Sequence, residues 1–335
     1  MKKACLVVQE VYQNNEIFKP DSPLNRDNCL EFFHELKKQF LNSRIDLQTQ
    51  DLCSQEEAEF IIFNEVPKNL SEVKYPQKAT VLLFESELIH PDNWKNKNHE
   101  SFKYIFTWND DYVDNKKYFK FNFTGPHPID FKQFSEKKKF CTLVAGNKYV
   151  SHPLELYSKR IEAIRWFEKH HPEQFEFYGL GWGTHAFKFR FQIISKVLNR
   201  IKPLASLLAE QWPSCRGPVK DKLQMMQNFK FSICYENAQG IYGYITEKIF
   251  DSLGAGCIPI YWGAPNITQF VPKECFISKT DYKSYEELFQ YLSSMTEIEY
   301  NNRLQAIKNY LSSDRYKLFQ PSHNAKVVVE RLTHA

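Results

Sequence analysis

Residues 231–265 read FSICYENAQGIYGYITEKIFDSLGAGCIPIYWGAP. Phe231–Tyr235 is a short apolar run of the kind that forms a buried strand, and Glu236–Tyr244 is a polar loop punctuated by glycine. Thr246 stands at an N-cap position ahead of Ile249, Phe250 and Leu253, whose spacing places them on one helical face. Gly254–Gly256 stops that helix, and Cys257–Trp262 is a second apolar strand. Strand, loop, helix and strand make a βαβ unit, in which a ligand sits outside the carboxyl end of the first strand, beside the helix N-terminus.

That N-terminus carries about half a positive charge and several unpaired N–H groups, so it favours a phosphate. Lys248, in the first turn, opposes the helix dipole, and a lysine there points to a bound anion. Glu247 beside it repels a phosphate but accepts hydrogen bonds from sugar hydroxyls. A solvated Glu247–Lys248 pair opening an ordinary helix is the bland alternative.

The string from Tyr235 to Pro265, with Glu236-Asn237 followed by Tyr244-Ile245-Thr246-Glu247-Lys248 and a small-residue turn into a strand containing proline, resembles the donor-binding motif of the α1,3/α1,4-fucosyltransferases of glycosyltransferase family 10. The resemblance implies an α/β chain of two Rossmann-like domains facing one cleft, the GT-B arrangement. It also implies an inverting, metal-independent transfer of fucose from GDP-fucose to a glycan hydroxyl, with O3 of a GlcNAc or Glc unit as the expected position. The loop between Asn237 and Tyr244 is one residue longer than the family pattern. Asn237, Tyr244 and Glu247 are implied around ribose and fucose, and Lys248 at the diphosphate.

A chain of 335 residues fits two domains better than one core, and 42% hydrophobic with 25% charged residues is ordinary globular composition. A net charge of +4 is too small to argue for nucleic acid, which is not expected as a partner. The start, MKKACLVVQEVYQN, holds a five-residue apolar run ending at Val8, too brief for a signal peptide or a membrane span. The expectation is a cytoplasmic protein, or the excised catalytic domain of a Golgi enzyme. The eight cysteines show no C-x-x-C and no zinc spacing, and reduced, mostly buried thiols are expected.

The first 135 residues alternate strands (Ala4–Val8, Ile45–Thr49, Phe60–Phe63, Thr80–Phe84, Tyr104–Phe106) with a helix at Arg26–Asn42, the pattern of a mostly parallel α/β domain. Thr80–Phe84 ends in Glu85-Ser86-Glu87. A carboxylate leaving a buried strand at a sheet's carboxyl edge suits a general base, and inverting transfer needs one base to take the acceptor hydroxyl's proton. Glu85-Ser86 resembles the family's catalytic glutamate context. Glu87 is the alternative, and a solvated loop glutamate the bland reading. Asp110-Asp111 resembles the metal-binding Asp-x-Asp of other glycosyltransferases, but a cationic pair neutralises a diphosphate without metal, so no metal ligand is nominated.

The charged run Ser135–Lys139 marks the domain boundary, and 140–335 is expected as the second, donor-binding domain. Arg160, near the start of a helix, matches the family arginine implied at the GDP diphosphate, where a guanidinium supplies a bidentate fork. Lys159 and Arg165 are neighbouring substitutes. Arg216-Gly217 resembles a pair in the bacterial branch and stands as a second cationic contact. Gly179-x-Gly181-x-Gly183 is a weak glycine signal. Residues 185–212 read as a basic helical insertion, whose charged face fits an acceptor, an anionic membrane surface, or plain solvent beside a core-packed helix. Two rivals keep part of this reading: a transferase for GDP-mannose or a UDP-sugar, separated by GDP against UDP binding, and a non-catalytic sugar-nucleotide or glycan-binding module, in which Glu85→Gln changes nothing.

Overall fold

The structure, a computed structural model, describes residues 1–183 and 210–334. The expected insertion at 185–212 therefore lies almost wholly outside the described residues.

Two parallel sheets organise the chain. The first holds β1 (Lys2–Val7), β2 (Ile45–Thr49), β3 (Phe60–Asn64), β4 (Ala79–Leu83), β5 (Tyr104–Thr107) and β6 (Tyr118–Lys120) in the order β2-β1-β3-β4-β5-β6. The second holds β7 (Lys139–Val144), β8 (Phe175–Tyr178), β9 (Phe229–Tyr235), β10 (Ile258–Trp262) and β11 (Ile277–Ser278) in the order β11-β10-β9-β7-β8. Strand pairs are parallel throughout, so the strands are fed by crossovers that lay helices on the faces. The central strands are accordingly apolar on both sides; every residue of β4 is buried.

In each sheet the chain order reverses beside the first strand, between β1 and β3 and again between β7 and β9. Such a reversal opens a crevice at the carboxyl ends of the two strands. In the second sheet those ends are Val144 and Tyr235, and the motif loop begins immediately after Tyr235.

The decisive βαβ unit forms as its sequence dictates. β9 pairs with β10 from Phe231↔Ile258 to Tyr235↔Trp262. Thr246 caps the Glu247–Gly254 helix, its hydroxyl accepting the Lys248 backbone N–H, and Ile249, Phe250 and Leu253 are fully buried. Each such side chain contributes roughly 1.5–3 kcal/mol on burial, so that face fixes where the helix N-terminus sits.

Three features differ from the sequence expectation. The helix expected over Arg26–Asn42 begins at Glu31, because Asp27 (φ 53°) and Asn28 (φ 57°) adopt left-handed backbone and leave only a 3₁₀ turn ahead of it. β6 was not anticipated; three residues give no pattern to read. The last helix, Pro321–Thr333, lies inside the segment assigned to the second domain, yet Ala325, Val328, Val329 and Leu332 pack into the first sheet's core with Leu36 and Phe40. Asn324 pins it there, its Oδ1 accepting the Asn122 N–H at 3.0 Å. No helix among the described residues is long and apolar enough to cross a membrane.

Candidate active site

A cavity of about 1140 Å³ opens between the sheets. That is slightly more than the roughly 300–1,000 Å³ of a small-molecule site, enough for a nucleotide sugar with room to spare. Glu85, Arg160, Asn237, Tyr244, Glu247 and Lys248 all line it, so residues nominated from both halves of the sequence meet in one place. Glu87 lies outside that lining, although both it and Glu85 are exposed.

The second-domain wall is built on the end of β9. Arg160, the fourth residue of the Tyr157–His170 helix, is 5% exposed. Its Nε and Nη2 donate to the Tyr235 carbonyl at 3.2 and 2.7 Å, and Nη2 also donates to Asn237 Oδ1 at 3.0 Å. The guanidinium thus locks the chain reversal that starts the motif loop, and Asn237 acts first as its partner. Burial lowers the Arg160 pKa, but Tyr157 and Glu236 oppose the shift and the side chain stays charged.

Glu236, which the sequence reading quoted but assigned no role, is fully buried. It accepts from Thr246 N at 2.8 Å and Thr246 Oγ1 at 2.6 Å, with Lys248 Nζ 3.7 Å away. Burial raises its pKa, and Lys248 and the two Thr246 bonds resist. Lys248 Nζ donates to Thr246 Oγ1 at 2.9 Å and to Glu247 Oε1 at 3.2 Å. Desolvation works against its charge, yet Glu247 and Glu236 outweigh that and raise its pKa. Glu247 is the converse: burial pushes its carboxyl up, but Lys248 and Lys222 win and hold it at about 2. Lysine at this helix N-terminus is therefore an ammonium held by two carboxylates. Nothing in the sequence signals the burial of Glu236, since a carboxylate directly after an apolar strand reads as solvated.

Further cations and acids line the cavity that the sequence did not single out. Lys222 bridges Asp251 (2.8 Å) in its own domain and Asp27 (3.5 Å) in the other. Lys148, in the loop after β7, also lines the wall. Arg216 is not among the lining residues: its guanidinium donates to the Pro213 carbonyl and lies 3.6 Å from Glu176, so the expected second cationic contact is replaced by a surface ion pair.

Across the cleft, Glu85 follows β4. Glu85 is exposed to the open cleft, yet the protein packed around it desolvates the carboxyl and raises its pKa, with Lys148 and Lys248 pulling it back down and Glu247 adding to the rise. Its backbone is held on both sides: the N–H donates to Glu65 Oε1 at 2.8 Å, and the carbonyl accepts from Trp94 Nε1 at 3.0 Å and Asn93 Nδ2 at 3.2 Å.

The two halves are stitched beside the motif loop. Asp110 takes Lys120 Nζ on Oδ1 (2.5 Å) and Asn266 Nδ2 on Oδ2 (2.8 Å), while Asn266 Oδ1 accepts Gly243 N–H at 3.0 Å. The Asp110 carboxylate is committed to this cross-domain bridge. Among the described residues no three His, Cys, Asp or Glu side chains group as metal ligands. Tyr244, 1% exposed, packs its ring against Trp108 at 4.6 Å and so forms wall rather than mouth.

Gly243 is required at this seam. Its φ is 78°, and a Cβ there would meet the Trp108 carbonyl at 2.2 Å. Gly243→Ala is expected to destabilise the protein by about 2–4 kcal/mol through left-handed strain and backbone collision, read as a fall in denaturant midpoint. Gly179 (φ 154°) is similarly close to Ala145, its Cβ position lying 1.8 Å from that carbonyl, and lines the cavity; the weak glycine signal marks this approach.

Residues 196–316 match the family model described as the C-terminal region of glycosyltransferase family 10 (fucosyltransferase). Among curated relatives, the α-(1,3)-fucosyltransferase FucT of Helicobacter pylori is 40% identical over 74 residues, 22% of this chain and 15% of that protein. An α-(1,4)-fucosyltransferase of Arabidopsis thaliana is 34% identical over 107 residues, 30% of this chain and 26% of its own. The chain thus spans about a quarter or less of the length of these relatives. Among solved structures, an α1,3-fucosyltransferase with GDP superposes with a TM-score of 0.57 at 16% identity, covering 99% of this chain and 90% of that one. Anabaena HepE with UDP-glucose gives 0.54 at 11% identity, covering all of both chains. These neighbours share the fold: two parallel α/β domains in the GT-B arrangement.

Proposed function

We propose that this chain is a fucosyltransferase that moves fucose from GDP-fucose to a hydroxyl of a glycan acceptor, with inversion at the anomeric carbon. The observation that carries the reading is the meeting of Arg160, Lys248 and Glu85 on one cavity from opposite domains. Cations and base must face each other across the sugar if a diphosphate is to leave one face while an alcohol enters the other.

In this reading GDP lies on the second domain. Its β-phosphate is held at the N-terminus of the Glu247–Gly254 helix between Lys248 and Arg160, and Asn237, Tyr244 and Glu247 surround ribose and fucose. The acceptor hydroxyl gives its proton to Glu85 as its oxygen bonds to the anomeric carbon. The bond from that carbon to the β-phosphate oxygen breaks, and the electron pair departs with GDP. Negative charge grows on the leaving phosphate in the transition state, so two fixed cations stabilise that state more than bound substrate. Lys248 and Arg160 supply this neutralisation from the chain itself, and a metal is not invoked. The acceptor position is proposed as O3 of a GlcNAc or Glc unit, in line with the α-(1,3) relatives. Peripheral membrane contact through 185–212 remains part of the proposal only as a partner for that basic segment.

The test is incubation with GDP-fucose and a panel of glycan acceptors, with and without chelator, read by mass. The expected result is a deoxyhexose increment that survives chelator. Transfer from GDP-mannose or a UDP-sugar in its place, or tighter binding of UDP than GDP, rejects the donor; binding with no transfer to any acceptor rejects the enzyme.

A further inference from the structure

Beneath Glu85 lies a second carboxylate to which the reaction assigns no part. Glu65, following β3, adopts φ 75°, a left-handed backbone that costs a non-glycine residue about 1–3 kcal/mol and persists only where the surroundings compel it. What compels it here is its side chain. Oε1 accepts the Glu85 N–H at 2.8 Å, and the Phe84 N–H sits 3.2 Å from both oxygens. Oε2 accepts from Asn93 Nδ2. Asn93 is fully buried; its Nδ2 also reaches the Glu85 carbonyl at 3.2 Å, its Oδ1 accepts Val66 N–H at 2.9 Å, and its own carbonyl lies 2.6 Å from His99 Nε2. One polar cluster, Glu65-Asn93-His99, therefore holds both the N–H and the C=O of Glu85.

We propose, resting on the reading of Glu85 as base, that Glu65 is a positioning residue that fixes the Glu85 peptide so that its carboxylate projects into the cleft. A side chain leaving a strand end has free rotation of its backbone unless both peptide groups are tied; here the ties come from a neighbouring strand end, which is itself fixed by pairing with β4. A misplacement of about 1 Å at a reacting group is enough to cost about a hundredfold in rate.

The charges support the geometry. Burial pushes the Glu65 carboxyl up to about 8, against the hydrogen bonds from Glu85, Asn93 and Phe84. The groups reaching its two oxygens are all N–H donors, from Glu85, Phe84 and Asn93, and they favour the carboxylate form, so the cluster is built around an acceptor. The other charged groups facing Glu85 are Lys148, Glu247 and Lys248, and Tyr157 and Tyr244 lie within its field.

The experiment compares Glu65→Gln and Glu85→Gln in the full chain with GDP-fucose and a working acceptor. Glutamine keeps an acceptor for the Glu85 amide but turns a donor toward Asn93 Nδ2, breaking the cluster without opening a cavity. Glu65→Gln is expected to lower kcat at least about tenfold with GDP affinity unchanged, and to move the acid limb of the kcat profile to lower pH as a loosened Glu85 gains solvent. A lower kcat with the limb unmoved, or an unchanged kcat, overturns the proposal. If Glu65→Gln does not fold, amide exchange on the wild-type chain decides: Phe84 and Glu85 amides exchange slowly if Glu65 holds them, and fast exchange overturns it. Full transfer by Glu85→Gln rejects the base assignment itself, a different failure from loss in Glu85→Gln with none in Glu65→Gln.

Discussion

Replacing Glu85 by glutamine is expected to lower fucosyl transfer by about 10²–10⁴-fold while GDP binding is retained, the range over which a positioned general base contributes. The asymmetry follows from the fold. Glu85 leaves the first sheet, whereas the residues proposed for GDP hang from the second, so the variant removes the proton acceptor and leaves the nucleotide side whole. Glutamine is the right replacement because the Glu85 backbone, held by Glu65, Asn93 and Trp94, does not depend on the side-chain charge. The wild-type pH profile carries the matching signature. A base must be deprotonated, and desolvation by the surrounding protein raises the Glu85 pKa. Turnover should therefore begin to fall as pH drops at values above the ordinary glutamate range, and steady-state kcat across pH checks it. An acid limb at or below the usual glutamate pKa of about 4.3 would show that this carboxylate does not act in the cleft as described.

The second large effect is Lys248→Ala, expected to lower kcat by about 10²–10³-fold, as when a single charge-stabilising donor is removed from a transition state. A structural loss accompanies the catalytic one. Lys248 is the cation nearest the fully buried Glu236, and its removal leaves that carboxylate with Thr246 alone. An uncompensated buried charge destabilises by about 3–5 kcal/mol, so Glu236 will take up a proton and the melting temperature will fall. Turnover must be measured well below that temperature. Lys248→Ala working at the wild-type rate with GDP-fucose would remove the diphosphate assignment.

Much of the fold was legible because its signals are local. The βαβ unit declares itself by two apolar runs, a threonine cap and a three-residue apolar stripe, and each formed where that pattern placed it. The later helices show the same cap chemistry, Ser284 and Thr296 each accepting a backbone N–H three residues on. Arg26–Asn42 failed at its start because Asp and Asn enter left-handed backbone readily and nothing in the apolar spacing records it. The return of Pro321–Thr333 to the first sheet was illegible because its amphipathic stripe fits either domain; the contacts that choose are with distant residues, Asn324 with Asn122 and Arg331 with Asn115 and the Phe119 ring.

The candidate site divides in the same way. The six nominated residues line one cavity; Glu85 and Lys248 stand at a strand end and a helix N-terminus that the residues themselves declare, whereas Asn237, Tyr244 and the choice of Arg160 rested on the family resemblance. What sequence missed are residues whose role exists only in contact with distant ones: Glu65 under Glu85, Asp110 bridging to Asn266, and Lys222 between Asp27 and Asp251. Glu236 was missed for another reason. A carboxylate at a loop's first residue reads as solvated, whereas here it is fully buried, its N–H donating to the Trp262 carbonyl and its Oε1 accepting the Thr246 N–H.

The central claim is that the cleft binds a guanosine diphosphate leaving group against Arg160 and Lys248, opposite Glu85. A crystal structure with GDP tests it most directly. The account predicts the β-phosphate at the N-terminus of the Glu247–Gly254 helix, within hydrogen-bonding distance of both cations, with Glu85 facing it across open space. Nucleotide bound elsewhere, or a diphosphate that touches neither Arg160 nor Lys248, would contradict it.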